Sequence, residues 1–317
     1  MKRILVTGAN GQIGVELVRK LRGIYGTDEV VASDIRELPG DAEGPFRILD
    51  VRDANMVHEA MERTEADTII HMAGILSAKG EAYPQLAWEI NIQGIYNILE
   101  VARIKGTAVF FPSSIATFGP STPAKNTPQD TVQRPTSIYG ISKVSGELLC
   151  DYYHIKYGVD VRGLRFPGLI SYEALPGGGT TDYAVHIYYD AVRRGRYTCP
   201  IAPGSYMDMM YMPDALDAVL QIMEADPDKF VHWNAFNTSA MSFDPEEIAA
   251  EIRKHIPDFV IEYDVNPVLQ KIADSWPDSL DCTAAREEWG FHPKYDLASM
   301  TEDMIRRLRA RSDRERA

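Results

Sequence analysis

The chain has 317 residues, 45% of them hydrophobic and 25% charged. That balance excludes a disordered, collagen-like or coiled-coil protein, and the length suits one large domain or two packed lobes. The net charge of −13 argues against nucleic acid or an anionic membrane as a partner.

In chain order, apolar runs at Ile4–Val6, Glu29–Ser33, Thr68–Met72, Ala108–Phe111 and Val161–Phe166 read as buried strands. Amphipathic stretches between them read as helices: Ile13–Leu21, Asn55–Glu62, Leu86–Arg103 and Ser142–Tyr157. Strand and helix in alternation imply parallel pairing with right-handed crossovers. The expected fold is therefore α/β: a doubly wound parallel-sheet Rossmann domain with a smaller α/β substrate-binding lobe. The expected division is 1–169 and 170–317, with the chain returning to the first lobe around 206–238. The second half holds a glycine cluster at Pro176–Gly179 and a helix at Asp182–Arg194. The tail Arg306–Arg316 alternates with Asp313 and Glu315 and reads as a solvated helix end.

Cys150, Cys199 and Cys282 are scattered, with no CxxC and no metal-type spacing, so neither a disulfide framework nor a metal site is expected. No run approaches the ~18 apolar residues of a membrane helix, and the amino terminus does not read as a signal peptide. A reducing, soluble compartment, most simply the cytoplasm, is expected.

The first strand runs into Gly8-Ala9-Asn10-Gly11-Gln12-Ile13-Gly14 and then a helix. Glycines let a backbone turn tightly beside a pyrophosphate, which sits at the positive helix end. Asp34 follows about 20 residues later, where a carboxylate accepts hydrogen bonds from ribose hydroxyls. The same charge repels a 2′-phosphate, so NAD is favoured over NADP, although Arg36 stands close by. A ligand-free turn is the plainer reading of the glycines; strand, loop, helix and acid together outweigh it. Asp50 and Val51 either flank the adenine ring or belong to a helix N-cap.

Tyr139 and Lys143 stand at i and i+4, on one face of the predicted helix. An ammonium beside a phenol lowers the phenol pKa, and a bound nicotinamide cation would lower it further, which makes a tyrosinate available as general base at neutral pH. Ser114 ends the preceding strand–loop segment and could hold the oxygen that Tyr139 deprotonates. Alone, YxxxK on a helix and Ser-Ser at a strand end are commonplace. Beside a dinucleotide loop they become the leading catalytic reading.

These residues, with His71-Met72-Ala73-Gly74 and Asn91, resemble the extended short-chain dehydrogenase/reductase family over nearly the whole chain. The resemblance implies NAD, a Ser114–Tyr139–Lys143 triad, and cofactor contacts from Met72, Ala73, Gly74, Asn91 and Pro167. Asn91 is either the auxiliary asparagine or a polar residue of a dimer-facing helix. The family often dimerises through two helices per subunit, here 86–103 and 142–157, which implies a homodimer.

Epimerases of the family carry an arginine where this chain has Met207, and methionine cannot neutralise a nucleotide diphosphate. The segments Pro167–Ser171, Pro176–Ala184, Tyr211–Ala215 and Ser275–Ser279 instead resemble the short-chain L-threonine 3-dehydrogenases of the family. That branch implies Ser77, Gly179, Thr181 and Trp276 around a small amino-acid substrate, with Gly177–Gly179 closing over it. Trp276 reads equally as a core aromatic, and Ser77 as a turn cap. Met207, Met209, Met210 and Met212 read as core filling. A nucleotide-sugar 4-epimerase or dehydratase is the alternative. A non-catalytic NAD sensor should lack part of the triad, and all three residues are present.

Overall fold

The computed structural model describes residues 1–37 and 44–316, and the side chains as far as Ser312. The acids of the tail, Asp313 and Glu315, therefore lie outside the described side chains.

The strands in chain order are β1 (Ile4–Thr7), β2 (Val30–Asp34), β3 (Phe46–Ile48), β4 (Thr68–His71), β5 (Ala108–Ser114) and β6 (Val161–Phe166). There follow β7 (Gly168–Ile170), β8 (Arg196–Cys199), β9 (Met207–Tyr211), β10 (Phe236–Asn237), β11 (Met241–Phe243) and β12 (Val260–Tyr263). Seven of them form one parallel sheet in the order β3-β2-β1-β4-β5-β6-β10. β1, β4 and β6 are buried along their whole length. This is why β1 and β4 are nearly continuous apolar runs, whereas β6 buries Arg162 and Arg165 among its apolar residues.

Alternate residues serve two cores. Ile4, Val6, Ile70 and Phe110 belong to one. Leu5, Ile69, Val109 and Phe111 belong to the other. The first face is covered by α1 (Gln12–Tyr25), whose apolar stripe Leu17, Val18 and Leu21 is buried. The second is covered by α2 (Ala54–Thr64) and the helices of the 84–105 and 138–157 segments. The parallel sheet with helices on both faces is Rossmann-like, as the alternation predicts.

Two details differ from the sequence reading. β3 escaped notice because it is a short, half-exposed edge strand without a buried face. The single helix expected at 86–103 is three pieces. After α3 (Ser77–Ala82) come α4 (Pro84–Trp88), a π-turn at Glu89–Gln93, and α5 (Gly94–Lys105). Wide turns of this kind cluster near functional sites, and this one carries Asn91. α6 (Ile138–Tyr157) starts on the cap Ser137, whose hydroxyl accepts from the Gly140 amide.

Beyond β6 a small sheet forms in the order β11-β9-β7, and β8 pairs with β12. The helices here are α7 (Tyr183–Arg194), α8 (Met212–Glu224), α9 (Pro245–Arg253), α10 (Pro267–Ala273), α11 (Thr283–Trp289) and α12 (Leu297–Arg316). Met207, Met209, Met210 and Met212 are fully buried core, as read. The three cysteines are buried and free. Among the described residues no helix is long and apolar enough to cross a membrane.

Candidate active site

The sheet order reverses between β1 and β4, and ligands of such sheets bind outside the carboxyl ends at that point. A cavity of about 300 Å³ opens there. It is walled by the glycine loop, the ends of β4 and β5, the face of α6 and the 167–182 segment.

The loop is shaped by its glycines. Gly8 has φ +67°, and a Cβ there would stand 2.5 Å from the Ala73 nitrogen. A Cβ on Gly14 would run into the Gly8 carbonyl oxygen. Ala73 thus backs the loop from outside the cavity. Gly11 caps α1 without a side chain, and the first turn of the helix holds no acid. An uncapped, acid-free helix start fits a pyrophosphate. Gln12, Ile13, Gly11 and Gly14 line the cavity, and the buried Gln12 Nε2 has no hydrogen-bond partner.

Asp34 is the last residue of β2. Its carboxylate accepts from the amides of Asn10 (3.1 Å) and Ile35 (2.8 Å). The Asn10 amide group donates to the Arg36 carbonyl at 2.6 Å. These bonds hold the Asp34 carboxylate beside the loop.

Asp50 and Val51 stand apart from the main cavity. The Asp50 carboxylate is gripped by Arg52, which holds it below the usual carboxylate range. The α2 cap is Asp53, not Asp50. Val51 is buried and its carbonyl accepts from Asn97 at 2.9 Å. Met72 and Gly74 line the cavity, as do Pro167 and Gly168. Asn91 does not. Its carboxamide bonds the Ile75 amide (2.8 Å), the Ile75 carbonyl (3.0 Å) and Ser142 Oγ (3.0 Å), tying the loop after β4 to α6.

Ser114, Tyr139 and Lys143 come together in the cavity. Burial pushes the Tyr139 phenol up to about 12, opposed by a hydrogen bond with Ser114. Lys143 Nζ donates to the Pro112 carbonyl at 2.6 Å and lies 5.6 Å from the centre of the Tyr139 ring. Burial pushes its ammonium down to about 8, opposed by Glu147. Without the nicotinamide, the phenol thus lies above rather than below its ordinary value. In the protein alone, desolvation sets the direction of the shift.

Ser77, Gly177, Gly179, Thr181 and Trp276 all line the same cavity. The Ser77 and Thr180 hydroxyls are 3.4 Å apart, bridging α3 to the glycine loop. Sequence reasoning missed Asp182, also in the wall. Its carboxylate accepts from the Gly178 (2.9 Å) and Gly179 (2.8 Å) amides. An acid just after a glycine run and at a helix start was the available signal. Below the cavity floor, His71 Nδ1 is 2.8 Å from Thr7 Oγ1. Among the described residues no His/Cys/Asp/Glu group could hold a metal.

Comparison with known proteins agrees with this geometry. The profile of the NAD dependent epimerase/dehydratase family matches residues 4–235. An uncharacterized epimerase/dehydratase of Staphylococcus haemolyticus is 58% identical over 311 residues, 97% of this chain and 98% of that one. Among solved structures, an L-threonine dehydrogenase from Clostridium difficile superposes with TM-score 0.96 at 57% identity, covering 98% of each chain. The holo form of a GalE-like L-threonine dehydrogenase from Cupriavidus necator gives TM-score 0.94 at 46% identity, over 96% of this chain and 99% of that one. Matches that run through both the glycine loop and the β5–α6 wall make the assignment plain: the chain belongs to the NAD dependent epimerase/dehydratase family.

Proposed function

We propose that the protein oxidises the β-hydroxyl of L-threonine to 2-amino-3-oxobutyrate in an NAD-dependent reaction. The observation that carries this reading is the meeting of Ser114, Tyr139 and Lys143 in one wall of a cleft. Ser77, Thr181 and Trp276 line the same cleft. The likeness of the whole chain to solved L-threonine dehydrogenases supports it. So does the fully buried Met207, which offers no cation to a sugar-nucleotide diphosphate.

The loop Gly11–Gly14 at the start of α1 would hold the NAD pyrophosphate, and Asp34 the adenosine ribose. Met72, Gly74 and Pro167 would pack about the remainder, with Ala73 backing the loop and Asp50 and Val51 at the adenine end. When bound, the nicotinamide supplies the hydride acceptor and a positive charge that favours the tyrosinate. Ser114 Oγ holds the substrate oxygen, and Tyr139 Oη takes its proton. Lys143 keeps a positive charge beside the phenolate. Ser77, Gly179, Thr181 and Trp276 surround the amino acid. The glycine loop Gly177–Gly179, braced by Asp182, excludes water and so strengthens the polar contacts inside.

A homodimer is part of the same reading. The face of α4, α5 and α6 exposes Trp88, Tyr96, Leu148, Tyr152 and Ile155, the last 82% exposed. An apolar face of this kind on adjacent helices fits a second copy of the chain. Sedimentation should give twice the chain mass, and a monomer at micromolar concentration would overturn it.

The deciding experiment follows NADH absorbance with L-threonine, its allo isomer, L-serine and UDP-galactose. Turnover with L-threonine and NAD, much reduced with NADP, is the expected result. Conversion of the sugar nucleotide without amino-acid turnover would overturn the reading in favour of an epimerase.

A further inference from the structure

Three consecutive residues at the end of β5 each engage one face of α6. The Pro112 carbonyl accepts from Lys143, the Ser113 hydroxyl donates to Glu147, and Ser114 faces Tyr139. Tyr139, Lys143 and Glu147 are spaced one turn apart, so they form a single row along the helix.

Glu147 is 2% exposed. Besides Ser113, its carboxylate accepts from Arg165 Nε (3.0 Å), an Arg165 terminal nitrogen (2.9 Å) and Gln133 Nε2 (2.7 Å). Arg165 in turn donates to the Gln129 carbonyl (2.8 Å) and Asn237 Oδ1 (3.1 Å). A buried ion pair is weak evidence for stability, since a well-packed apolar pair often does as well. Its position gives it another task.

The groups that face Lys143 are few. On α6 they are Tyr139, Glu147 and Cys150. On β4 it is His71, and on β5 the Phe111 ring at 5.1 Å. Glu147 itself faces Arg165 of β6, Ser113 of β5, Gln133, and Cys150 and Asp151 of its own helix. His71 is buried and kept neutral. Glu147 is the carboxylate one turn from Lys143 on the same buried face of α6, where its charge favours the ammonium form.

We propose that Glu147 is a positioning residue: its charge holds Lys143 in the ammonium form while its Ser113 bond sets the end of β5 that presents Ser114. Arg165 compensates the carboxylate, so that it remains ionised in the interior. The proposal rests on the assignment of Lys143 to the NAD site.

The test compares wild type with Glu147→Gln, which keeps the size of the side chain and loses the charge. NADH affinity is read by fluorescence from neutral to alkaline pH, and kcat/KM for L-threonine over the same range. In the wild type, affinity should fall as Lys143 loses its proton. In Glu147→Gln that fall should begin about one pH unit lower, the scale of a single near charge. Glu147→Asp should return the midpoint toward the wild-type value. Removing one partner of a buried pair is costly, so Glu147→Gln/Arg165→Gln is measured beside it. A shift of the same sign but smaller is expected there, because the Arg165 cation that offsets the carboxylate is lost with it.

Affinity that drops equally at every pH, with an unmoved midpoint, would make Glu147 merely structural and overturn the proposal. A wild-type affinity flat across the range would overturn it too. The NADH arm needs no amino acid, so it decides the matter even if L-threonine is not turned over.

Discussion

The Lys143 ammonium is tethered to the Pro112 carbonyl at 2.6 Å, two residues before Ser114 on the same strand. One hydrogen bond thus joins the cation of α6 to the strand that presents the serine. Lys143→Met removes that bond and the charge together. Turnover should fall by about a thousandfold or more. NADH affinity, read by fluorescence, should weaken at the same time. Unchanged affinity would remove Lys143 from the cofactor site.

Tyr139→Phe removes only the phenolic oxygen from a side chain that is otherwise buried. Turnover should drop about 10²- to 10⁴-fold, with NADH affinity within a few fold of wild type. Because burial pushes the phenol up to about 12, the wild-type rate of alcohol oxidation should rise with pH above neutrality until Lys143 titrates. A rate flat across that range would argue against a tyrosinate base.

His71 is buried and its imidazole is pushed down to about 3 by burial and by Lys143, against an ordinary 6.5. The unfolded chain therefore binds this proton first. The contribution of neutral His71 to stability is complete above pH 6.5 and is lost as pH falls toward 3. The slope is about 1.4 kcal/mol per pH unit. His71→Asn should flatten the acid limb of stability measured by urea unfolding.

Glu16 of α1 has the opposite sign. Its buried carboxyl, bonded by the Ser171 hydroxyl, is pushed up to about 7 by burial, against an ordinary 4.5. Its contribution is complete below pH 4.5 and lost as pH rises through 7. Glu16→Gln keeps an acceptor for Ser171 and removes the charge. The melting temperature should rise by a few degrees at alkaline pH and stay unchanged at mildly acidic pH.

Two glycines of α1 should behave oppositely. Gly14→Ala drives a Cβ into the Gly8 carbonyl, so NAD binding should weaken at least tenfold by calorimetry. Gly23→Ala meets nothing within 4 Å and should stabilise the helix by about 1 kcal/mol. Equal effects would mean that the loop does not need its close backbone approach.

The central sheet was readable because its inner strands are buried on both faces and so are rich in apolar residues without a polar alternation. The glycine loop, Asp34 and the Tyr139–Lys143 spacing were readable because each is a local pattern on a predicted element. What the sequence hid is non-local. Nothing near Glu147 announces that Arg165, on another element, will cover it. Asn91 could be placed on a helix, but not the π-turn that sends its carboxamide to Ile75 and Ser142. The direction of the phenol shift also had to await the fold, since spacing suggests the cation while only the fold shows the burial that raises it.

β10 joins the sheet from far down the chain, pairing Phe236 with Leu164 and Asn237 with Arg165. During synthesis, β6 must wait for some seventy residues to be added before its outer edge is paired. Until then it presents an open parallel edge, a known template for pairing with the wrong chain. Arg165 also lacks the Asn237 acceptor for that interval. A chain cut short before Phe236 would carry the whole dinucleotide loop and the Ser-Tyr-Lys cluster. It would still emerge as an aggregation-prone fragment rather than a small working enzyme.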